Sequence, residues 1–210
     1  MNELYYQLRL RPVPDQLPGK TGRRGAVTQS DTDLCSKTGL LDRWGWAERA
    51  EEALVRTGNR ASALLLLDVD GFTYINDVYG QPAADAVLQA AASVLRDALR
   101  TTDVAGRYGG HGGDEFLVLL PARDRQLGEL IARRIRARIR RAIIPVRDAD
   151  GETVVVSRVT VSIGVAVTDP CTGNRLNLSE LLRQADAALV QAQHNGGDQI
   201  LVAGGGVSVV

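Results

Sequence analysis

Apolar positions along the middle of the chain repeat with two different periods, and the alternation between them predicts the order of elements. Residues 63–67 and 115–120 are unbroken apolar runs of strand length, the pattern of strands covered on both faces. Residues 84–99 instead repeat at helical spacing through Val87, Leu88, Ala91, Val94, Leu95 and Leu99. Earlier, 42–56 predicts a helix with Trp46, Ala50, Ala53 and Leu54 on one side. Residues 124–143 predict a long helix burying Leu127, Leu130, Ile131, Ile135 and Ile139, its other faces dense in arginine. That arginine surface reads as a solvated helix face. Residues 104–108 and 115–120 predict strands flanking a glycine hairpin, and 153–156 and 159–167 a further hairpin or strand pair. Asn177, with Glu180 three residues on, predicts the N-cap of a helix to about residue 194 that buries Leu181, Leu182, Ala185 and Leu189. A short strand at 199–202 follows. This order predicts an α/β fold in which helices cover a mostly antiparallel sheet.

Composition narrows the class. The chain has 210 residues, 44% hydrophobic and 24% charged, enough for one domain with a real core. Lys+Arg and Asp+Glu are both 25, so the basic excess of a dedicated nucleic-acid binder is missing. Cys35 and Cys171 have neither metal-site nor disulfide-framework spacing, which predicts two reduced thiols in a cytoplasmic protein. No apolar run approaches the roughly 20 residues of a membrane span. Residues 1–35, rich in Pro and Gly without a sustained period, predict a mobile N-terminal tail; 36–202 form the domain and 203–210 a C-terminal tail. A tail of that size is too short for a sensory domain, so control is expected from a separate partner, a tail contact or the protein's own product.

The chemistry-bearing residues gather at the ends of the two apolar runs. Asp68-Val69-Asp70 closes the first, and Asp114-Glu115 opens the second behind Gly109-Gly110-His111-Gly112-Gly113. Carboxylates at strand ends are hard oxygen donors suited to magnesium, and glycines let a backbone approach a ligand closely. Because strand side chains alternate, Asp114 and Glu115 should not both face one metal unless the hairpin bends.

Gly112 to Phe116, Thr38 to Arg43, Asp68 to Phe72, Ile75 to Gly80, Ser162 to Val165 and Ala185 to Leu189 occur in the order found in one family. Over about residues 37–202 the chain resembles the GGDEF diguanylate cyclases, which join two GTP molecules into cyclic di-GMP. The resemblance implies a palm-like βαββαβ core and a homodimer in which each protomer presents one GTP. It implies Mg2+ or Mn2+ on Asp68, the Val69 carbonyl and Asp114, with Asp114 and Glu115 catalytic. Phe72, Asn76, Asp85, Gly112 and Gly113 are implied to bind substrate, with Asn76 and Asp85 reading guanine. Arg100-Thr101-Thr102-Asp103 resembles the R-x-x-D site at which the family binds cyclic di-GMP as an inhibitor.

Departures from the family pattern cluster on the triphosphate. Thr73, Gln193 and Gly197 stand where the pattern has Lys, Lys and Arg, and no lysine follows Lys37. A hydrogen bond to a charged group contributes roughly 1.5–3 kcal/mol, so losing two weakens GTP binding by about a hundredfold or more unless other cations, such as Arg43 or Arg107, take over. Lys37 stands in place of a Leu and Asp42 in place of an Asn. The hairpin carries three additional residues. Either Gly109 to His111 loop out and Asp114 still meets Asp68, or His111 takes the acid's place, where it is a poor magnesium ligand. The first is favoured because the following strand must keep Phe116, Val118 and Leu120 on one face. Three functions stay open: a cyclase of low activity, a degenerate module that binds GTP or cyclic di-GMP as a regulator, and a structural interaction domain.

Overall fold

The computed structural model describes residues 33–109, 113–147, 153–168 and 177–204. Residues 1–32 of the predicted N-terminal tail (1–35), residues 205–210 of the predicted C-terminal tail (203–210), Gly110, His111 and Gly112 of the hairpin, and Cys171 lie outside the described residues.

Asp42 starts α1 (Arg43–Thr57): its Oδ1 accepts from the N–H groups of Trp44 at 2.9 Å and Gly45 at 2.8 Å. Then come β1 (Ala63–Val69), α2 (Phe72–Ala98), β2 (Val104–Arg107), β3 (Glu115–Leu120) and α3 (Arg125–Arg140). After these follow β4 (Ile143–Arg147), β5 (Thr153–Ser157), β6 (Val161–Val167), α4 (Leu178–His194) and β7 (Ile200–Val202). The main sheet has the order β2-β3-β1-β6-β7; every pair is antiparallel except β6 with β7.

Alternation along the strands builds two cores. Ala63, Leu65, Leu67, Phe116, Val118, Leu120, Ile163 and Val165 share one with residues of α2 and α3. Leu64, Leu66, Leu117 and Leu119 share the other with Trp46 and Ala50 of α1 and Leu181, Ala185 and Leu189 of α4. Helix α4 lies so close on β6 that a Cβ at Gly164 would sit 2.5 Å from the Leu189 nitrogen and closer still to the Ala185 carbonyl oxygen. Only glycine fits there, which gives the Ser162 to Val165 motif a packing cause.

Four expectations need correction. Helix α2 begins at Phe72, not near residue 84; it breaks at Gly80 (φ 80°, ψ 170°), and Pro82 restarts it with its fixed φ. Helix α3 stops at Arg140 rather than running to 143, because Ile143 opens β4. That strand pairs with β5 in a separate two-stranded sheet, so 153–156 does not pair with 159–167; β6 joins the main sheet between β1 and β7. Leu127 and Leu130, expected in the core, are exposed (40% and 61%), because α3 turns Ile131, Ala132, Ile135 and Ile139 inward instead.

Candidate functional site

One end of the main sheet collects the strand-end carboxylates. Asp68 lies opposite Glu115 on β3 and opposite Ser162 on β6. Directly opposed residues in antiparallel strands share a face. Asp68 (9% exposed) and Glu115 (5%) therefore point together toward the α1 and α4 side. Asp114, half-buried, precedes the strand by one residue, and Val69 is buried beside Asp68. Glu115, not Asp114, is thus the register partner of Asp68, a relation that the sequence left open. The same neighbourhood holds three residues that sequence reasoning did not join. The Arg43 guanidinium stands 4.9 Å from the centre of the Tyr108 ring. Burial raises the Tyr108 hydroxyl pKa; Arg43 opposes the shift and the carboxylates of Glu115 and Asp186 add to it.

The hairpin keeps its pairing up to the described edges of the turn. Arg107 pairs with Phe116, the Tyr108 N–H donates to the Glu115 carbonyl at 2.8 Å, and Arg107 Nε donates to the Gly113 carbonyl at 2.7 Å. Phe116, Val118 and Leu120 stay on one core face, the register that the looped-out arrangement requires. Gly113 takes φ 73°, a conformation for which glycine is suited. The implied substrate contact at Gly112 lies outside the described residues.

A divalent ion fits this end chemically: two carboxylates, Asp68 and Asp114, and the Val69 carbonyl are all hard oxygen donors. Among the described residues, no group of three or more His, Cys, Asp or Glu is gathered closely enough to hold a metal by side chains alone. The implied set with a main-chain oxygen is of a different kind.

Around the implied guanine residues the polar groups are distinctive. Among the described residues, Asn76 Oδ1 is a buried acceptor with no hydrogen-bond partner. Asp85 Oδ1 accepts from Lys37 Nζ at 2.6 Å and from Gln81 Nε2 at 2.8 Å. Partial burial pushes the Asp85 carboxyl up, but the hydrogen bonds from Lys37 and Gln81 and the charges of Lys37 and Arg107 outweigh it and leave the pKa lowered. Phe72 is buried in the α2 and α3 core.

The segment that lacks the family's cations is rebuilt rather than merely stripped. Thr73 is exposed and Gln193 half-buried. Gly197 has φ 75°, and a Cβ there would lie 3.1 Å from Asp70 Oδ1. Asp70 accepts from Ser162 Oγ at 2.6 Å and from the Asp198 N–H at 2.9 Å. Asp198 in turn binds Arg136 Nε at 2.6 Å and Arg140 Nη1 at 3.0 Å. Two of the arginines read as solvated helix surface are thus drawn to the segment that lacks the family's arginine. Sequence separation hid the contact. Of the cations suggested as replacements, Arg43 stacks on Tyr108, and Arg107 is tied to Gly113 and, through Nη1, to Cys35 Sγ at 3.4 Å.

Arg100 and Asp103 are not presented as a matched pair. The Asp103 side chain is 1% exposed; its Oδ2 accepts from the Arg100 backbone N–H at 2.9 Å and meets Arg123 Nη2 at 3.4 Å. Among the described residues, its Oδ1 is buried without a partner. The adjoining cleft, about 720 Å3, is lined by Arg49, Arg56, Arg60, Arg96 and Arg100.

An α/β domain with acids at adjoining strand ends and a glycine hairpin is the arrangement that the sequence resemblance implied, and comparison with known proteins identifies the family. Residues 32–199 match the family model described as diguanylate cyclase, GGDEF domain, and the chain belongs to that family. It is 37% identical over 168 residues to diguanylate cyclase DgcP of Pseudomonas aeruginosa, covering 79% of this chain and 23% of that protein. It is 32% identical over 202 residues to the response regulator PleD of Caulobacter vibrioides, covering 95% of this chain and 38% of PleD. The chain therefore spans well under half the length of these relatives. The GGDEF domain of DgcB from Caulobacter crescentus, solved in complex with c-di-GMP, superposes with a TM-score of 0.74 at 24% identity, over 88% of this chain and 100% of that one. At that identity the likeness establishes the fold. Diguanylate cyclase SiaD of Pseudomonas aeruginosa, solved with its activator SiaC, has a TM-score of 0.69 at 31% identity, over 81% of this chain and 61% of that one. The family generally uses a divalent metal. No described helix is long and apolar enough to cross a membrane.

Proposed function

We propose that this chain is a cytoplasmic diguanylate cyclase of low activity, condensing two GTP into cyclic di-GMP as a homodimer with one GTP per protomer. The observation that carries the reading is the unbroken β1–β3 register, with Asp68 opposite Glu115 despite the longer hairpin. Asp68, the Val69 carbonyl and Asp114 would hold Mg2+ or Mn2+, which when bound polarises the α-phosphate and acidifies the attacking 3′-hydroxyl. Asp114 and Glu115 keep the reacting end anionic and accept its proton. Asn76 Oδ1 and Asp85 are acceptors for the guanine N–H groups, Gly112 and Gly113 let the hairpin backbone approach the phosphates, and Phe72 supports the turn beneath them. The absence of Lys at 73 and 193 and of Arg at 197 weakens hold on the triphosphate, hence the low rate.

The arginine-lined cleft beside Arg100 favours a second reading, a regulator that binds cyclic di-GMP without turnover. There Arg100 would grip the ligand, and Asp103 would have to leave Arg123 to join it. Incubation with millimolar GTP and Mg2+ or Mn2+ at high protein concentration, followed by chromatography, separates the two. Cyclic di-GMP from the parent and none from Asp114→Ala supports the cyclase; no product from either, with cyclic di-GMP binding that is lost in Arg100→Ala, supports the regulator.

A further inference from the structure

Lys37 is one of two lysines in the chain and stands where the family pattern has an apolar residue. Its ammonium lies 2.6 Å from Asp85 Oδ1, across 48 residues of sequence. The pair is accessible, with side-chain exposures of 43% and 29%. Asp85 Oδ1 also accepts from Gln81, whereas Oδ2 makes no hydrogen bond among the described residues.

The guanine pairing edge presents, in order, the O6 acceptor, the N1–H donor and the N2 amino donor. A carboxylate has only acceptors, so Asp85 can meet the two donors but leaves O6 unread. An ammonium has three donors and no acceptor, and a Lys Nζ on one carboxylate oxygen retains N–H groups to give elsewhere. Of the two ways a base can lie on the Asp85 carboxylate, the one that sets N1–H toward the Oδ1 end brings O6 to the side where Lys37 stands. Adenine would set its own 6-amino donor against the ammonium. Resting on the assignment of Asp85 to guanine made above, we propose that Lys37 reads guanine O6 and is a specificity-determining residue of the base site.

The hydrogen bond from Lys37 to Asp85 Oδ1 holds the ammonium beside the carboxylate, so the donor is in place before the base arrives. Gln81, on the same oxygen, limits the ways in which the carboxylate can turn.

The test uses mononucleotides, which bind through the base without turnover. GMP, 6-thio-GMP and IMP are titrated against the full chain, Lys37→Met, Lys37→Arg and Asp85→Ala. 6-Thio-GMP keeps both N–H donors but replaces O6 with sulfur, a weak acceptor; IMP keeps O6 and loses the 2-amino group. Parent protein should prefer GMP to 6-thio-GMP by about tenfold, the worth of one hydrogen bond to a charged group. Lys37→Met should bring that ratio near one, Lys37→Arg should restore most of it, and the GMP to IMP ratio should not move in either. A ratio unchanged in Lys37→Met, or tighter GMP binding by that variant, overturns the proposal, because the lysine then only fills or obstructs the site. Asp85→Ala distinguishes the failures. If it weakens GMP binding while Lys37→Met leaves the ratio alone, only the role of Lys37 falls. If Asp85→Ala binds GMP as the parent does, the assignment of Asp85 falls and the proposal with it.

Discussion

Two regions beside the strand-end acids, proposed to hold the base and the phosphates of a nucleotide, are built in opposite ways. Around Asn76 and Asp85 the family's residues are kept and a cation has been added: Lys37 on Asp85 Oδ1 at 2.6 Å. Around Asp70 and Gly197 the family's cations are gone and an internal network has taken the space: Ser162 to Asp70, Asp70 to Asp198, and Asp198 to Arg136 and Arg140. Among the described residues, the first region leaves the Asn76 amide oxygen and Asp85 Oδ2 without a hydrogen bond. The second spends its charges on itself. A carboxylate already paired with two arginines makes those arginines poorer phosphate ligands, because each must exchange an existing partner for a new one. Retained motif letters and retained binding capacity are therefore separate matters.

The contrast can be broken most severely at the acids that both regions share. Asp68→Asn or Asp114→Ala should lower cyclic di-GMP formation by more than about a hundredfold, given the several kcal/mol that a bound metal supplies, while circular dichroism remains that of the parent. Product formation unchanged in Asp114→Ala would remove Asp114 from the mechanism. At the base region, Asp85→Ala should weaken GMP binding by about tenfold or more in calorimetry. Where the family's cations are missing, Thr73→Lys combined with Gln193→Lys should tighten GTP by about a hundredfold with little change for guanosine, since only the phosphates gain partners. Gly197→Arg should not do the same. With φ 75° and Asp70 Oδ1 3.1 Å from the new Cβ, it should lower the thermal midpoint instead.

The smallest effect concerns the strap that carries Lys37. Partial burial raises the pKa of the Cys35 thiol, but hydrogen bonds from Thr38 and Arg107 prevail and bring it from 9.0 to about 7. The thiolate is the reactive form, so alkylation by iodoacetamide should rise with pH around a midpoint near 7 and level off above it. Arg107→Ala should move that midpoint upward; an unmoved midpoint would deny that Arg107 ties this strap to the hairpin.

Much of the architecture was legible from the sequence because the signals were local. The apolar runs became β1 and β3, and Asn177 caps α4, its side chain accepting from the Glu180 N–H at 2.8 Å. The first half of α2 was hidden by Gly80 and Pro82, two breakers that interrupt one element without ending it. The end of α3 was hidden because Ile139 and Ile143 continue a helical period across a change to strand. Within the site, the motifs identified Asp68, Asn76, Asp85 and Asp114 as candidates, but partners distant in sequence leave no local signature. Lys37 on Asp85, Arg136 on Asp198 and Arg123 on Asp103 are all of this kind. The R-x-x-D spacing of Arg100 and Asp103 was legible, whereas the inward turn of the Asp103 carboxylate depends on Arg123 and the fold around it.

The proposed cyclase keeps its hold on guanine and has a weakened grip on the triphosphate. Affinities for guanosine, GMP and GTP, measured side by side with magnesium, test it most directly. The account predicts measurable guanosine binding, abolished by Asp85→Ala, and a gain of less than about tenfold from guanosine to GTP, since the missing cations would have supplied more. Undetectable guanosine binding together with GTP binding more than about a hundredfold tighter would contradict it, placing recognition on the phosphates after all.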